Sequence, residues 1–124
     1  MAKILIVDDS TMSRRMLRRF LEADGHQIIE ADDGLVAIER YMLEHPDLVT
    51  LDMTMRGMHG LDVLAQLRAL DPAARVLVAT ADIQRSTRDM VHAAGGSGFL
   101  SKPFEEERVR RAVAQILTGG RAWN

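Results

Sequence analysis

The chain has 124 residues, the length of one domain, with 47% hydrophobic and 27% charged residues, ordinary for a water-soluble globular fold. A formal net charge of −2 excludes the general excess of positive charge that a nucleic-acid-binding surface needs. The absence of cysteine removes disulfides, thiolate metal sites and thiol nucleophiles, and fits a reducing compartment.

In chain order, Met1-Ala2-Lys3 leads straight into Ile4-Leu5-Ile6-Val7, which Asp8-Asp9 stops at once. That run is too short for a signal peptide, and no stretch reaches the roughly 20 apolar residues of a membrane span. The expected location is the cytoplasm, without membrane insertion. Ile4–Val7 reads as a first strand, and Leu48–Leu51, Val76–Ala79 and Phe99-Leu100 read as three more. Apart from Thr50, each is apolar throughout, as suits strands covered on both faces of a parallel sheet. Gln27-Ile28-Ile29-Glu30 is more polar and suits a sheet edge.

Helical spacing fills the gaps. The first helix puts Met12, Met16, Phe20 and Leu21 on one face, with Ser10 placed to cap its start and Gly25 after its end. The second carries Ile38, Tyr41 and Met42, and the third Val63, Leu64, Leu67 and Leu70. A fourth, about Ile83 to Ala94, has the thinnest stripe: Thr87, Met90, Val91 and Ala94. The last turns Val109, Val113, Ile116 and Leu117 inward. Five alternating β–α units predict an α/β domain over residues 1–118, a five-stranded parallel sheet with helices on both sides. The tail, residues 119–124, is expected to fray.

The informative residues follow the strands: Asp8 and Asp9, then Asp52, Thr80 and Lys102-Pro103. In a parallel sheet all carboxyl ends share one edge, where ligand sites form, so these distant residues converge. One Asp after a strand is most often a turn or cap residue; the force lies in the set. Crowded carboxylates repel one another, and a hard divalent cation such as Mg²⁺ removes the conflict with oxygen ligands. His26, His45, His59 and His92 are scattered and read as surface or packing residues. The carboxylates, the cation, the Thr80 hydroxyl and the Lys102 ammonium can surround a tetrahedral phosphoryl group, and an Asp carboxylate is an established nucleophile toward phosphorus. The only lysines are Lys3 and Lys102, so the ammonium at this spot stands out from an arginine-rich chain.

Ile4-Leu5-Ile6-Val7-Asp8-Asp9-Ser10, Leu51-Asp52-Met53, Ala79-Thr80-Ala81 and Lys102-Pro103-Phe104 resemble the motifs of the response regulator receiver family, in its single-domain chemotaxis (CheY-like) type. The likeness runs from Lys3 to about Leu117. It implies a flavodoxin-like (βα)5 fold with strand order 2-1-3-4-5. It implies that Asp52 accepts a phosphoryl group from a histidine kinase, a phosphotransfer domain or a small phosphodonor. Asp9 and Asp52 would bind Mg²⁺ directly (Mn²⁺ being an acceptable substitute), Asp8 through water, and Thr54 through its backbone carbonyl. Thr80 and Lys102 would hold phosphoryl oxygens, and Phe99 would be the aromatic switch that remodels a face of the fourth helix, fifth strand and fifth helix for a downstream protein. The resemblance implies a monomeric switch in two-component signalling, not a turnover enzyme, with no direct nucleic-acid contact. Lys102–Pro103 is a candidate cis bond.

Some positions depart from the family pattern. Arg56 stands where relatives carry proline, and Thr54 and Asp82 occupy the two positions that tune phosphoryl lifetime. Two rival readings fit these residues less well. A Mg²⁺-dependent phosphatase of the haloacid dehalogenase type shows Asp-x-Asp after the first strand and a later acidic pair; here Asp8-Asp9 are adjacent and nothing acidic follows Leu100 until Glu105. A flavin carrier needs a hydroxyl- and glycine-rich phosphate loop where Asp8-Asp9 would repel the phosphate. A receiver cut from a longer DNA-binding regulator keeps the same chemistry.

Overall fold

The computed structural model describes residues 1–55 and 57–123. Arg56, the departure from proline noted above, and Asn124 lie outside the described residues. The strands are β1 (Lys3–Val7), β2 (Gln27–Ala31), β3 (Leu48–Asp52), β4 (Val76–Thr80) and β5 (Gly98–Ser101). They alternate with α1 (Thr11–Glu22), α2 (Gly34–Glu44), α3 (Gly60–Leu70), α4 (Arg85–Ala93) and α5 (Glu106–Leu117). All strands pair in parallel in the order β2-β1-β3-β4-β5, the flavodoxin-like arrangement that the resemblance implied.

Alternation along each strand sends side chains to two cores. Leu5, Val7, Val49, Leu51, Val76, Val78 and Phe99 face α2, α3 and α4. Ile4, Ile6, Leu48, Leu77, Ala79 and Leu100 face α1 and α5. Every residue of β3 and β4 is buried, which is why those runs are apolar without a break, apart from Thr50 and the two polar residues at their ends. Strand β2 lies at the edge and buries only Ala31 completely, as its polar sequence led us to expect.

The buried helix faces differ in part from those expected from the sequence. Ser10 caps α1, its hydroxyl accepting from the Ser13 amide at 3.2 Å. The face of α1 that is buried is Leu17, Phe20 and Leu21, whereas Met12 is 75% exposed. A row of residues four apart slants across a helix, so its first member leaves the contact that its last member makes. The same slant leaves Met42 of α2, Leu70 of α3 and Met90 of α4 largely exposed, while small Ala37 and Ala112 are buried unannounced. Helix α4 begins at Arg85, two residues later than its apolar stripe suggested, and buries only Thr87 and Val91 completely.

The tail was expected to fray; through Trp123 it does not. After α5, Gly119 turns at φ +93° and the chain comes back along the outer edge of β5. The Phe99 amide donates to the Ala122 carbonyl at 2.8 Å, and the Ala122 amide to the Ser97 carbonyl at 3.0 Å. Ala122 is buried and bridges Gly98 in parallel register. Unpaired edge amides are costly only where they are covered, and here the tail both covers and pairs them.

Candidate functional site

Parallel strands bring their carboxyl ends to one rim, and the register sets which residues meet there. Val7 pairs with Leu51, Asp52 with Ala79, and Thr80 with Ser101. Asp8 and Asp9 therefore leave β1 beside the end of β3, and Lys102 leaves β5 beside Thr80. Carboxylate oxygens of Asp8, Asp9 and Asp52 all lie within 4.8 Å of one another. The Lys102 ammonium sits 3.0 Å from Asp8 Oδ2 and 3.5 Å from Asp52 Oδ1. Its backbone is fixed by a bond from the Lys102 amide to the Thr80 carbonyl at 2.9 Å and by a cis Lys102–Pro103 peptide.

The acids are not equivalent. Asp8 is 1% exposed, and both of its oxygens are engaged: Oδ1 accepts from the Ser10 amide at 2.9 Å, and Oδ2 from Lys102. Asp52 is 5% exposed and has thinner support, a 3.4 Å contact from the Thr54 amide and the longer approach of Lys102. Burial pushes the Asp52 carboxyl above its ordinary pKa, the neighbouring Asp8 charge pushes it further, and Lys102 and the Thr54 amide offset only part of this. Among the described contacts, one ammonium lies against two of the three clustered carboxylates. Hard oxygen donors at this spacing fit a divalent cation of the Mg²⁺ kind. None of the four histidines belongs to the acid cluster. His59 caps α3 by accepting from the Leu61 amide, and His26 accepts from the Ala2 amide.

Thr80 is buried, and its Oγ1 accepts from the Asp82 amide at 3.1 Å, leaving its own proton to donate. The Asp82 carboxylate is held elsewhere. It accepts from the Thr87 hydroxyl at 2.6 Å and from the Gln84 amide at 3.0 Å, which keep its pKa below the usual carboxylate value. Thr87 entered the sequence reading only as part of a buried stripe; its hydroxyl ties the β4–α4 loop to α4. Arg14 was also missed. Its guanidinium donates to the Asp8 carbonyl at 2.7 Å and to Glu30 at 2.9 Å, bracing the β1–α1 turn. Gly60 closes the loop after Asp52, since a Cβ there would lie 2.7 Å from the Asp52 carbonyl oxygen and 2.6 Å from the Met53 Cα. Phe99 lies on the opposite side of the sheet from α5, 6% exposed among Val78, Val91 and their neighbours. A cavity of about 480 Å³ opens between β5, the loop after it and α5, lined by Lys102, Pro103, Phe104, Arg108 and Ala112 among others. Lys102 alone of the site residues reaches both this cavity and the acids.

Comparisons with known proteins bear on the family. The family model for the response regulator receiver domain matches residues 4–114. The chain is 40% identical over 114 residues to the chemotaxis protein CheY of Listeria monocytogenes, covering 91% of this chain and 96% of that one. It is 36% identical over 119 residues to the sporulation initiation phosphotransferase F of Bacillus subtilis, covering 93% of each. Among solved structures, the CheX-CheY-BeF3-Mg²⁺ complex from Borrelia burgdorferi matches with a TM-score of 0.89 and 31% identity, over 92% of this chain and 87% of that one. An acid cluster beside a lysine on a 2-1-3-4-5 sheet, matched along nearly its whole length, places this chain in the response regulator receiver family, as a CheY-like signalling switch of two-component systems.

Proposed function

We propose that this receiver takes its phosphoryl group on Asp52, with Mg²⁺ (or Mn²⁺) held by Asp9, Asp52 and the Thr54 carbonyl. Asp8, whose two oxygens are already engaged, would act on the cation through water. A bound cation supplies charge neutralisation for three acids and for the incoming phosphoryl oxygens. The observation that carries the reading is the convergence of Asp8, Asp9 and Asp52 within 4.8 Å, with Lys102 against two of them. The CheY complex named above holds BeF3 and Mg²⁺ together, which supports the same chemistry here.

The roles follow from the groups. The Asp52 carboxylate attacks phosphorus, and the bond to the donor's leaving group breaks as the new O–P bond forms. Lys102 moves from Asp8 to a phosphoryl oxygen, and the Thr80 hydroxyl donates to another. The donor is a histidine kinase, a phosphotransfer domain or a small phosphodonor. Output is a change in the face made by α4, β5 and α5, read by a downstream protein. Phe99 is already covered, so its part in that change is a shift within packed surroundings, not a swing in from solvent. The molecule acts as a monomer that assists its own phosphorylation and dephosphorylation. No helix among the described residues is long and apolar enough to cross a membrane.

Incubation with acetyl phosphate and Mg²⁺, read by intact mass, tests the assignment. Wild type gains the mass of one phosphoryl group, EDTA prevents the gain, and Asp52→Asn shows none. Equal gain in wild type and Asp52→Asn would remove Asp52 from the role.

A further inference from the structure

The returning tail touches every element of the face proposed to carry output. It leaves α5 through Gly119-Gly120, where the Gly120 amide donates to the Gln115 carbonyl at 2.8 Å and a Cβ would sit 2.9 Å from the same oxygen. It then pairs with β5 on both sides of Gly98. Gly98 is what permits this approach: a Cβ there would lie 2.5 Å from the Ala122 carbonyl oxygen. Trp123 finally packs on the cluster that contains Phe99 and Val91, its ring centroid 4.7 Å from that of His92 on α4. Three glycines, three backbone bonds and one aromatic ring thus bind α4, β5 and α5 together.

Two features make this contact fit for a switch rather than a fixed seal. The tail is bonded to Phe99 itself, the residue whose shift the output requires. Strand β5 spans only Gly98–Ser101, so Phe99 is three residues from Lys102, and Ser101 is in register with Thr80. Displacement of Lys102 and Thr80 toward a phosphoryl group has almost no chain in which to dissipate before it reaches the strap. In addition, the Trp123 indole N–H is buried with no hydrogen-bond partner among the described residues, so its seat is poorer than a core aromatic's.

We infer that residues 119–123 form an intramolecular strap over the outer edge of β5 that favours the unphosphorylated arrangement and loosens when Asp52 is phosphorylated, so that it gates the α4–β5–α5 face. The inference rests on the phosphoacceptor reading above. Coupling runs both ways: if phosphorylation loosens the strap, weakening the strap favours the arrangement that phosphorylation selects.

Trp123 is the single tryptophan, so its fluorescence reports the strap directly. Acrylamide quenching of the full chain, before and after acetyl phosphate and Mg²⁺, is read beside intact mass. The strap account expects the quenching constant to rise by about twofold or more in the phosphorylated form and to stay constant in Asp52→Asn. Trp123→Ala and Gly98→Ala, which loosen the strap at different points, should each raise the phosphorylated fraction several-fold at limiting acetyl phosphate, while Trp123→Phe stays near wild type. A full gain in mass with unchanged quenching overturns the strap and leaves Asp52 in place. Trp123→Ala and Gly98→Ala that melt earlier yet match wild type in phosphorylated fraction show a purely structural tail, and overturn it too. Without any gain in mass, the phosphoacceptor reading falls and the strap falls with it.

Discussion

Asp52 is a buried carboxyl with the Asp8 charge beside it. Its pKa is raised by burial and then by Asp8, so the folded state binds its proton more readily than the unfolded chain does. Stability therefore falls as pH rises from the ordinary carboxylate range through the folded value, and the penalty is complete above it. In metal-free buffer at neutral pH, Asp52→Asn should be more stable than wild type, by on the order of 1 kcal/mol, or roughly 3–6 °C in Tm. The advantage should vanish at a pH low enough to protonate Asp52 in both states; thermal melts in EDTA across pH check both halves. At this scale Asp8, Asp9, Asp52, Thr80 and Lys102 were legible because each directly follows or ends an apolar strand, and strand ends share a rim. Thr87 and Arg14 were not, because their contacts depend on where a helix lands after turning back over the sheet. Thr87→Val should remove the tether on Asp82 and raise amide exchange across Arg85–Arg88, while Thr87→Ser should keep wild-type protection.

At the scale of elements, packing separates what a sequence pattern states from what it omits. The inward faces of α3 and α5 were read nearly as they stand, because branched residues recur there at helical spacing. In α1 the stripe was misplaced onto Met12 because an exposed methionine is as apolar in sequence as a buried one, and Leu17 lay unnoticed between arginines. Those arginines are partly committed. Arg14 and Arg18 bind the two oxygens of Glu30 on edge strand β2, at 2.9 and 2.7 Å. Burial alone would push the Glu30 carboxyl up; the bonds from Arg18 and Arg14 outweigh it and hold the pKa below the ordinary value. A depressed folded pKa contributes stability above the unfolded value and loses it as pH falls through the folded one. Glu30→Gln should therefore destabilise the protein at neutral pH by about 0.5–1 kcal/mol, screened by its partial exposure, with the difference shrinking toward acid. Urea titrations at neutral and acid pH, in low and high salt, read this directly.

For the whole molecule, the fold class was legible from alternation alone, since four apolar strands and a more polar edge strand between five amphipathic segments admit few other arrangements. The strand order came with the family resemblance and is what the sheet shows. The tail was not legible. Its seat depends on a backbone approach at Gly98 that no periodicity announces, and its polar, glycine-rich start is what a frayed end also looks like. On the proposed reading, in which the folded acid cluster binds the cation and the unfolded chain does not, Mg²⁺ should raise Tm as the site saturates. Asp9→Asn should lose most of that increment.

The account rests on Asp52 as the atom-level acceptor, and one measurement addresses it without reliance on a variant. Protein phosphorylated with acetyl phosphate and Mg²⁺ is reduced with borohydride, which converts an aspartyl phosphate to homoserine, and the peptides are sequenced by mass. The account predicts homoserine at position 52 and at no other aspartate. Homoserine at Asp8 or Asp9, or phosphate retained on a hydroxyl side chain, would contradict it.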